Sequence, residues 1–216
     1  MKKSMWSTLS MMTLAGSVLM ASCSPFAEEP IQIQQVTDSE ALVAPESFTN
    51  QNARKTVEKN YFERFTNQLT QVDENGIYTP NIPAYFPGTG AGNASHMGKA
   101  VTFLNQYASF GVNGLGSVGA PVTQFYSSEL EKLGIVVDNP DVSSVTTDGK
   151  GNSVWFKNKQ NTITTSSEER SDFEAEVEIV GGTGKFENAS GTAIVTGYFN
   201  PKNGSGSSTM QGTIVF

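Results

Sequence analysis

The sequence predicts an all-β domain, and three observations lead to that fold class. The 216 residues include 21 glycines and are 37% hydrophobic, which suits a turn-rich β protein better than a helical bundle. Residues 172–179 alternate between acidic and apolar side chains, the two-residue period of a strand with one buried face. Turn-favouring sequences separate this segment from its neighbours. The length predicts one domain with extensions.

The N-terminus predicts an export leader. Two lysines precede an apolar stretch at residues 11–20, which is too short to span a bilayer, and the small residues Ala21 and Ser22 follow. The net charge of the whole chain is −7, and loss of the two leader lysines makes it about −9. A chain this acidic repels polyphosphate backbones, so we expect no nucleic-acid partner.

The residues before Cys23 resemble the lipobox of bacterial lipoproteins, in which an apolar residue and two small residues precede a lipidated cysteine. Met20 takes the apolar position, whereas Leu19, the usual residue type, lies one place early. The resemblance implies a signal peptide at 1–22, lipidation of Cys23 and anchoring in the bacterial cell envelope, at the outer membrane or cell surface. The alternative is ordinary cleavage near Ala21, which leaves Cys23 as a free thiol.

A polar segment and an ambiguous element follow the leader. Residues 23–55 are rich in Gln, Glu, Pro, Ser and Thr, which predicts a flexible tether, and the domain is expected at 56–216. Val57, Tyr61, Phe65 and Leu69 recur at the i, i+4 spacing of a short amphipathic helix, although the last three also fit a strand.

Strand-like segments and one short helix account for the rest of the domain. Strands are expected around residues 154–156 and 172–179, and a terminal hairpin is expected at 193–216 with its turn at 201–204. Ser127 or Ser128 is expected to cap a helix that ends at Gly134 and closes one end of the sheet.

Residues 179–191, Ile-Val-Gly-Gly-Thr-Gly-Lys-Phe-Glu-Asn-Ala-Ser-Gly, look like the signature shared by plant dirigent proteins and allene oxide cyclases. Residues 125–135 are more weakly similar to the cyclases. The resemblance implies an eight-stranded antiparallel barrel of the calycin type with one or two short helices. Its glycines permit tight turns and close backbone approach, and Phe186 and Ala189 would plug the barrel end. The fold-motif residues are Gly181, Gly182, Gly184, Phe186 and Gly191.

The resemblance carries over no catalytic residue, because the acidic and basic pocket residues of these families cannot be placed on this chain. Dirigent proteins steer the coupling of phenolic radicals and the cyclases close a fatty-acid epoxide, and both substrates are plant metabolites that do not suit a bacterial lipoprotein. The resemblance therefore implies an apolar-lined barrel rather than either reaction. Such a barrel can be filled by side chains or hold one small ligand.

Two short patterns have competing interpretations. Residues 114–119 spell G-x-G-x-x-G, but Pro121 follows almost at once and no βαβ context surrounds them, so we interpret them as a flexible glycine loop rather than a dinucleotide site. His96 is the sole histidine and a candidate pocket residue, but it lacks an identifiable catalytic partner. A structural or surface position is the alternative. No serine lies in a nucleophile-elbow motif.

The acidic residues of segment 168–178 could collect calcium, but the alternation favours a solvated face that resists edge pairing. Residues 148–152 contain only a fragment of a calcium-loop pattern. We therefore expect no metal and no cofactor.

The sequence leaves two functions open. The leading hypothesis is a non-enzymatic, membrane-tethered barrel that binds a small apolar ligand or serves as a structural or surface module. The alternative is an isomerase or cyclase acting on a hydrophobic small molecule in the barrel cavity. Whether the protein is an enzyme, and whether it forms a homo-oligomer, stays open at this level.

Overall fold

A computed structural model describes residues 57–112 and 114–216 of the chain. The predicted signal peptide, Cys23 and the predicted tether lie outside the described residues.

The described residues are mostly β-structure, with one α-helix and one turn of 3₁₀-helix among them. The strands are β1 Glu58–Leu69, β2 Ala84–Tyr85, β3 Gly88–Ala94, β4 Gly98–Leu104, β5 Gln106–Gly111, β6 Gly114–Gly119, β7 Ser144–Thr147, β8 Ser153–Ser167, β9 Arg170–Thr183, β10 Ser190–Phe199 and β11 Ser205–Val215. The α-helix, α1, is Thr123–Lys132, and the 3₁₀ turn is Gly184–Phe186. Neither is long and apolar enough to cross a membrane.

The sheet closes into an eight-stranded antiparallel barrel, as predicted. Strands β8, β7, β4, β3, β1, β11, β10 and β9 pair in that order, and β9 pairs with β8 to complete the circle. At the other end of the long strand β8, β6 takes the place of β7 and continues through β5 to β2. Closure leaves the barrel wall without a free long edge.

The ambiguous first element is a strand, so the helical interpretation of residues 57–69 is wrong. β1 pairs with β11 on one side and β3 on the other. Its inward side chains are Tyr61, Glu63, Phe65 and Asn67, and all four are buried. Pairing with β11 runs along residues 58–68 and pairing with β3 covers residues 63–69. These backbone hydrogen bonds outweigh the helix-like spacing of the apolar residues of β1.

One end of the barrel is packed solid. Tyr61, Phe156, Ile179, Phe186 and Ile214 belong to one buried cluster there, and Phe216 packs on Phe186 with ring centroids 4.7 Å apart. Burial of such side chains stabilises the fold by about 1.5–3 kcal/mol each.

The turn between β9 and β10 contains the predicted fold motif. Phe186 and Ala189 are buried in the core cluster. At Gly182 an added Cβ would lie 2.1 Å from the carbonyl oxygen of Ser153, so the backbones of β8 and β9 come too close for any side chain there. Gly184 has φ +62, in the region where glycine is favoured.

The alternation at residues 172–179 is confirmed. Ala175, Val177 and Ile179 are buried inside the barrel, and Glu174 and Glu176 lie on its outer face. The terminal hairpin is confirmed as β10 and β11.

Helix α1 differs from its prediction at its start and in its position. It begins at Thr123 after Val122, which caps it without a side-chain hydrogen bond, and Ser127 lies inside it, donating its hydroxyl to the Thr123 carbonyl. Its end is as expected: Gly134 adopts φ +71. The amides of residues 134 and 135 bond the carbonyls of 131 and 130, a Schellman arrangement.

The helix covers the outer wall of the barrel instead of closing one end of the sheet. Leu130 and Tyr126 pack with Val145 of β7 and Phe103 of β4. Ser144 and Thr102, which precede these two strand residues in sequence, line the interior. Because successive side chains of a strand point to opposite faces, the helix packs on the outer face.

Residues 114–119 form strand β6 rather than a flexible loop. They pair with β5 along their length and with β8 at two positions. The glycine pattern therefore belongs to an antiparallel sheet and does not open a helix, as a dinucleotide fingerprint must.

Candidate ligand-binding cavity

The barrel is hollow beyond the packed end. A cavity of about 140 Å³ lies inside it, and its wall is mostly apolar. The apolar lining residues are Phe65, Leu69, Phe86, Leu104, Ala108, Leu115, Ile163, Phe173, Ala175, Val177, Val195, Tyr198, Phe199 and Met210. Phe65, Ala175 and Val177 are buried at its depth, whereas Phe86, Ile163 and Phe199 are only half-buried and mark its mouth.

Strand β3 brings almost no side chain to this interior. Its inward positions are Gly88, Gly90 and Gly92, followed by Ala94. At Gly90 an added Cβ would lie 2.3 Å from Asn67 Oδ1 and 2.8 Å from the methyl group of Thr102. Glycine therefore lets polar side chains of the two neighbouring strands lie across β3, on the floor of the cavity.

Glu63 is the acidic group of the cavity. It is 3% exposed, and the Tyr61 hydroxyl donates a hydrogen bond of 2.6 Å to its Oε1. Burial raises the pKa of Glu63 from 4.5 to about 7, although Tyr61 and the hydroxyl of Thr146 act in the lowering direction. The Thr146 hydroxyl makes no hydrogen bond of ordinary geometry to any described residue.

Tyr61 stays neutral beside this carboxyl. Burial first, and then the charge and hydrogen bond of Glu63, raise the pKa of Tyr61 far above its usual value. The phenol therefore keeps its proton over the physiological pH range and can donate a hydrogen bond to the Glu63 carboxylate.

Two amide oxygens in the cavity wall have no hydrogen-bond partner among the described residues: Oδ1 of Asn67 and Oδ1 of Asn158. The corresponding Nδ2 groups are engaged. Asn67 donates to Ser208 Oγ at 2.8 Å, and Asn158 donates to Asn161 Oδ1 at 3.0 Å. The amide of Asn161 in turn donates to Gln106 and Ser117.

An irregularity in β8 places two of these amides together. The register with β9 shifts between Asn158 and Gln160, so that Asn158 and Asn161, three residues apart, both line the cavity. A β-bulge redirects side chains in this way. Unpaired buried acceptors cost free energy unless a ligand or water donates to them.

The sequence-predicted candidate His96 is not among the lining residues. It is exposed in the turn between β3 and β4, where φ is +64. Its Nε2 lies 3.1 Å from the carbonyl oxygen of Asn60, and its ring packs against Phe216 at the plugged end. Cys23 lies outside the described residues.

The acidic side chains of segment 168–178 are not among the residues that line the cavity. The carboxylate oxygens of Glu168 and Glu169 lie 3.1 Å and 3.2 Å from Lys202 Nζ. Within residues 57–112 and 114–216, no three His, Cys, Asp or Glu side chains are grouped to hold a metal ion.

Sequence analysis missed Glu63 and Asn67. Both residues continue the two-residue alternation of Tyr61 and Phe65. This alternation indicates inward-facing side chains only once the segment is known to be a strand.

Comparisons with protein-family models, curated proteins and solved structures find no match. The resemblance of residues 179–191 to the dirigent proteins and allene oxide cyclases therefore stays a prediction.

Proposed function

We propose that the protein binds one small, largely apolar molecule inside its barrel. The observation that carries the proposal is the apolar-lined cavity of about 140 Å³ with a buried carboxyl at its depth. Binding sites for small molecules combine apolar walls with a few polar groups that fix orientation. The proposal includes the predicted location: a lipid on Cys23 would hold the barrel at the cell envelope through a flexible tether.

A retained ligand is the first thing to look for. Native mass spectrometry of the purified protein, before and after organic extraction, should show a mass that extraction removes. If the spectrum shows only the mass of the protein, binding is tested with added probes, since a weakly bound ligand is lost during purification.

Probe binding tests the cavity directly. Toluene should bind to the protein in ligand-observed NMR, since a cavity of about 150 Å³ takes up benzene. Ala175→Met adds atoms inside the cavity wall and should weaken binding about tenfold or more. The matched control is Ala91→Met, because Ala91 is exposed on the outer face. Equal affinity of both variants, or no toluene binding to the wild-type protein, would refute the proposal in favour of a structural or surface module.

The second candidate function is an isomerase or cyclase, and Glu63 is the observation that favours it. A carboxyl with a pKa near neutrality is suited to proton transfer. If an extracted ligand is chemically converted on incubation, Glu63→Gln should abolish turnover while the ligand still binds. Turnover that survives Glu63→Gln would exclude this role.

A further inference from the structure

We propose that the cavity takes a small apolar amine, with its ammonium group against Glu63 and Asn67 and its apolar body toward the mouth. This inference rests on the proposed function and names its ligand class.

The charges in the described cavity wall favour a cationic ligand. Glu63 is buried, and the described residues that line the cavity include no lysine, arginine or histidine. Its hydrogen-bond partner in that part of the chain is the neutral phenol of Tyr61. A buried carboxylate is stable only when it is paired, so a cation is the group that this wall lacks.

The hydrogen-bonding groups of the wall also favour a head group that donates. The amide nitrogens of Asn67, Asn158 and Asn161 and the Tyr61 hydroxyl each donate at least one hydrogen bond, whereas the amide oxygens of Asn67 and Asn158 have no partner among the described residues. Asn67 is itself 8% exposed. A head group that donates several hydrogen bonds and accepts none complements this wall, and an ammonium has three donors and no acceptor.

The same wall disfavours anionic head groups. A carboxylate or phosphate head would meet free acceptor oxygens and the Glu63 carboxylate, with no cation in the described lining to offset the repulsion. Fatty acids and phosphorylated metabolites are therefore disfavoured. An alcohol can donate one hydrogen bond but cannot neutralise the carboxylate.

The size of the cavity limits the ligand to a small molecule. A volume of about 140 Å³ suits one ring or a short alkyl chain with a single-atom head. Aromatic side chains at the mouth, Phe86 and Phe199, lie 6.4 Å apart between ring centroids and can contact the apolar body.

The test uses three probes that share one ring: benzylamine, benzyl alcohol and benzoate. In calorimetry at about pH 8, the amine should bind about tenfold or more tighter than the alcohol, and benzoate should not bind. Glu63→Gln should reduce amine affinity to that of the alcohol and leave the alcohol unchanged. The matched control is Glu176→Gln, the same change on the exposed outer face, which should leave both affinities unchanged.

A second measurement uses the wild-type protein, so it tests the amine inference even if Glu63→Gln does not fold. Benzylamine affinity should rise about tenfold or more between about pH 5 and about pH 8, as Glu63 ionises, and alcohol affinity should stay flat. Among the described residues, Tyr61, which bonds Glu63, and Tyr198, which lines the wall, are the other titratable groups at the cavity. The charged groups of β4, β8 and β9 lie outside its wall: Lys99, Lys157, Lys159, Glu174, Glu176 and Glu178, together with the Arg170–Asp172 pair.

Equal affinity for amine and alcohol, a flat pH profile, or unchanged amine binding in Glu63→Gln would overturn the amine inference. Toluene binding that survives in that case leaves the proposed function standing. If neither toluene nor any of the three ring probes binds, both proposals fail.

Discussion

Replacement of Glu63 by glutamine should stabilise the protein at neutral and alkaline pH. Glutamine keeps the shape of the side chain and an oxygen that can accept the Tyr61 hydrogen bond, but it cannot ionise. The wild-type carboxyl must either hold its proton or place a charge in a site that is 3% exposed. The variant has no ionisable group at this position and therefore avoids the cost of a buried charge.

The size and sign of the effect follow from the pKa. A carboxyl whose pKa is raised on folding from 4.5 to about 7 binds its proton more tightly in the native state. Its contribution is therefore full below about pH 4.5 and declines as pH rises through about 7, by about 3 kcal/mol in total. Glu63→Gln should be more stable than wild type by up to about 3 kcal/mol at about pH 8, and about equally stable at about pH 4.

Urea denaturation at several pH values, without ligand, measures this difference. Thermal melting at about pH 8 should show a rise in Tm of about 6–10 °C. Glu176→Gln is the matched control, because it makes the same change on the exposed outer face of β9. A variant that is less stable than wild type at about pH 8, or a gap that does not change with pH, would refute the reasoning.

Three further substitutions test the architecture. Phe186→Ala should lower the free energy of unfolding by about 3–5 kcal/mol, measured by urea denaturation, because Phe186 is fully buried in the plug; a loss below about 1 kcal/mol would contradict this packing. Gly182→Ala should lower Tm or prevent folding, since its Cβ would lie 2.1 Å from the Ser153 carbonyl oxygen; an unchanged Tm would be inconsistent with that contact. His96→Ala should leave toluene affinity unchanged in NMR titration, and a loss of binding would place His96 in the site after all.

The sequence predicts those elements best in which only one periodicity fits. In β9, acidic and apolar residues alternate without interruption, a pattern that a helix would spread around all its faces. In β1, a spacing of four residues is a multiple of the strand period and lies close to one helical turn. Tyr61 and Phe65 therefore could not decide between the two.

Glycine-rich segments were harder to interpret because their conformation depends on their neighbours. Gly114, Gly116 and Gly119 have weak strand propensity, yet pairing with β5 holds them extended. The start of α1 is similar: Val122 is fully buried, and tertiary packing fixes the helix start without the serine cap that local sequence favours.

The cavity could not be predicted, since it depends on which side chains face inward in several strands at once. The glycines of β3 leave the interior open, and the bulge in β8 turns Asn158 and Asn161 toward it. Both features are visible in the sequence only as glycine and polar composition. The polar wall therefore follows from register, which no single segment specifies.

The remaining choice concerns Glu63, which can be explained either as an acceptor for the buried Tyr61 hydroxyl or as a ligand-binding group. The first role needs only a carbonyl oxygen, which an amide supplies without an ionisable group in a buried site. A carboxyl that costs stability as it ionises is useful where a cation joins it, because pairing removes the unfavourable charge. The two measurements on Glu63→Gln separate these explanations. Greater stability with weaker amine binding assigns the acid to a ligand, whereas greater stability with unchanged binding assigns it to Tyr61.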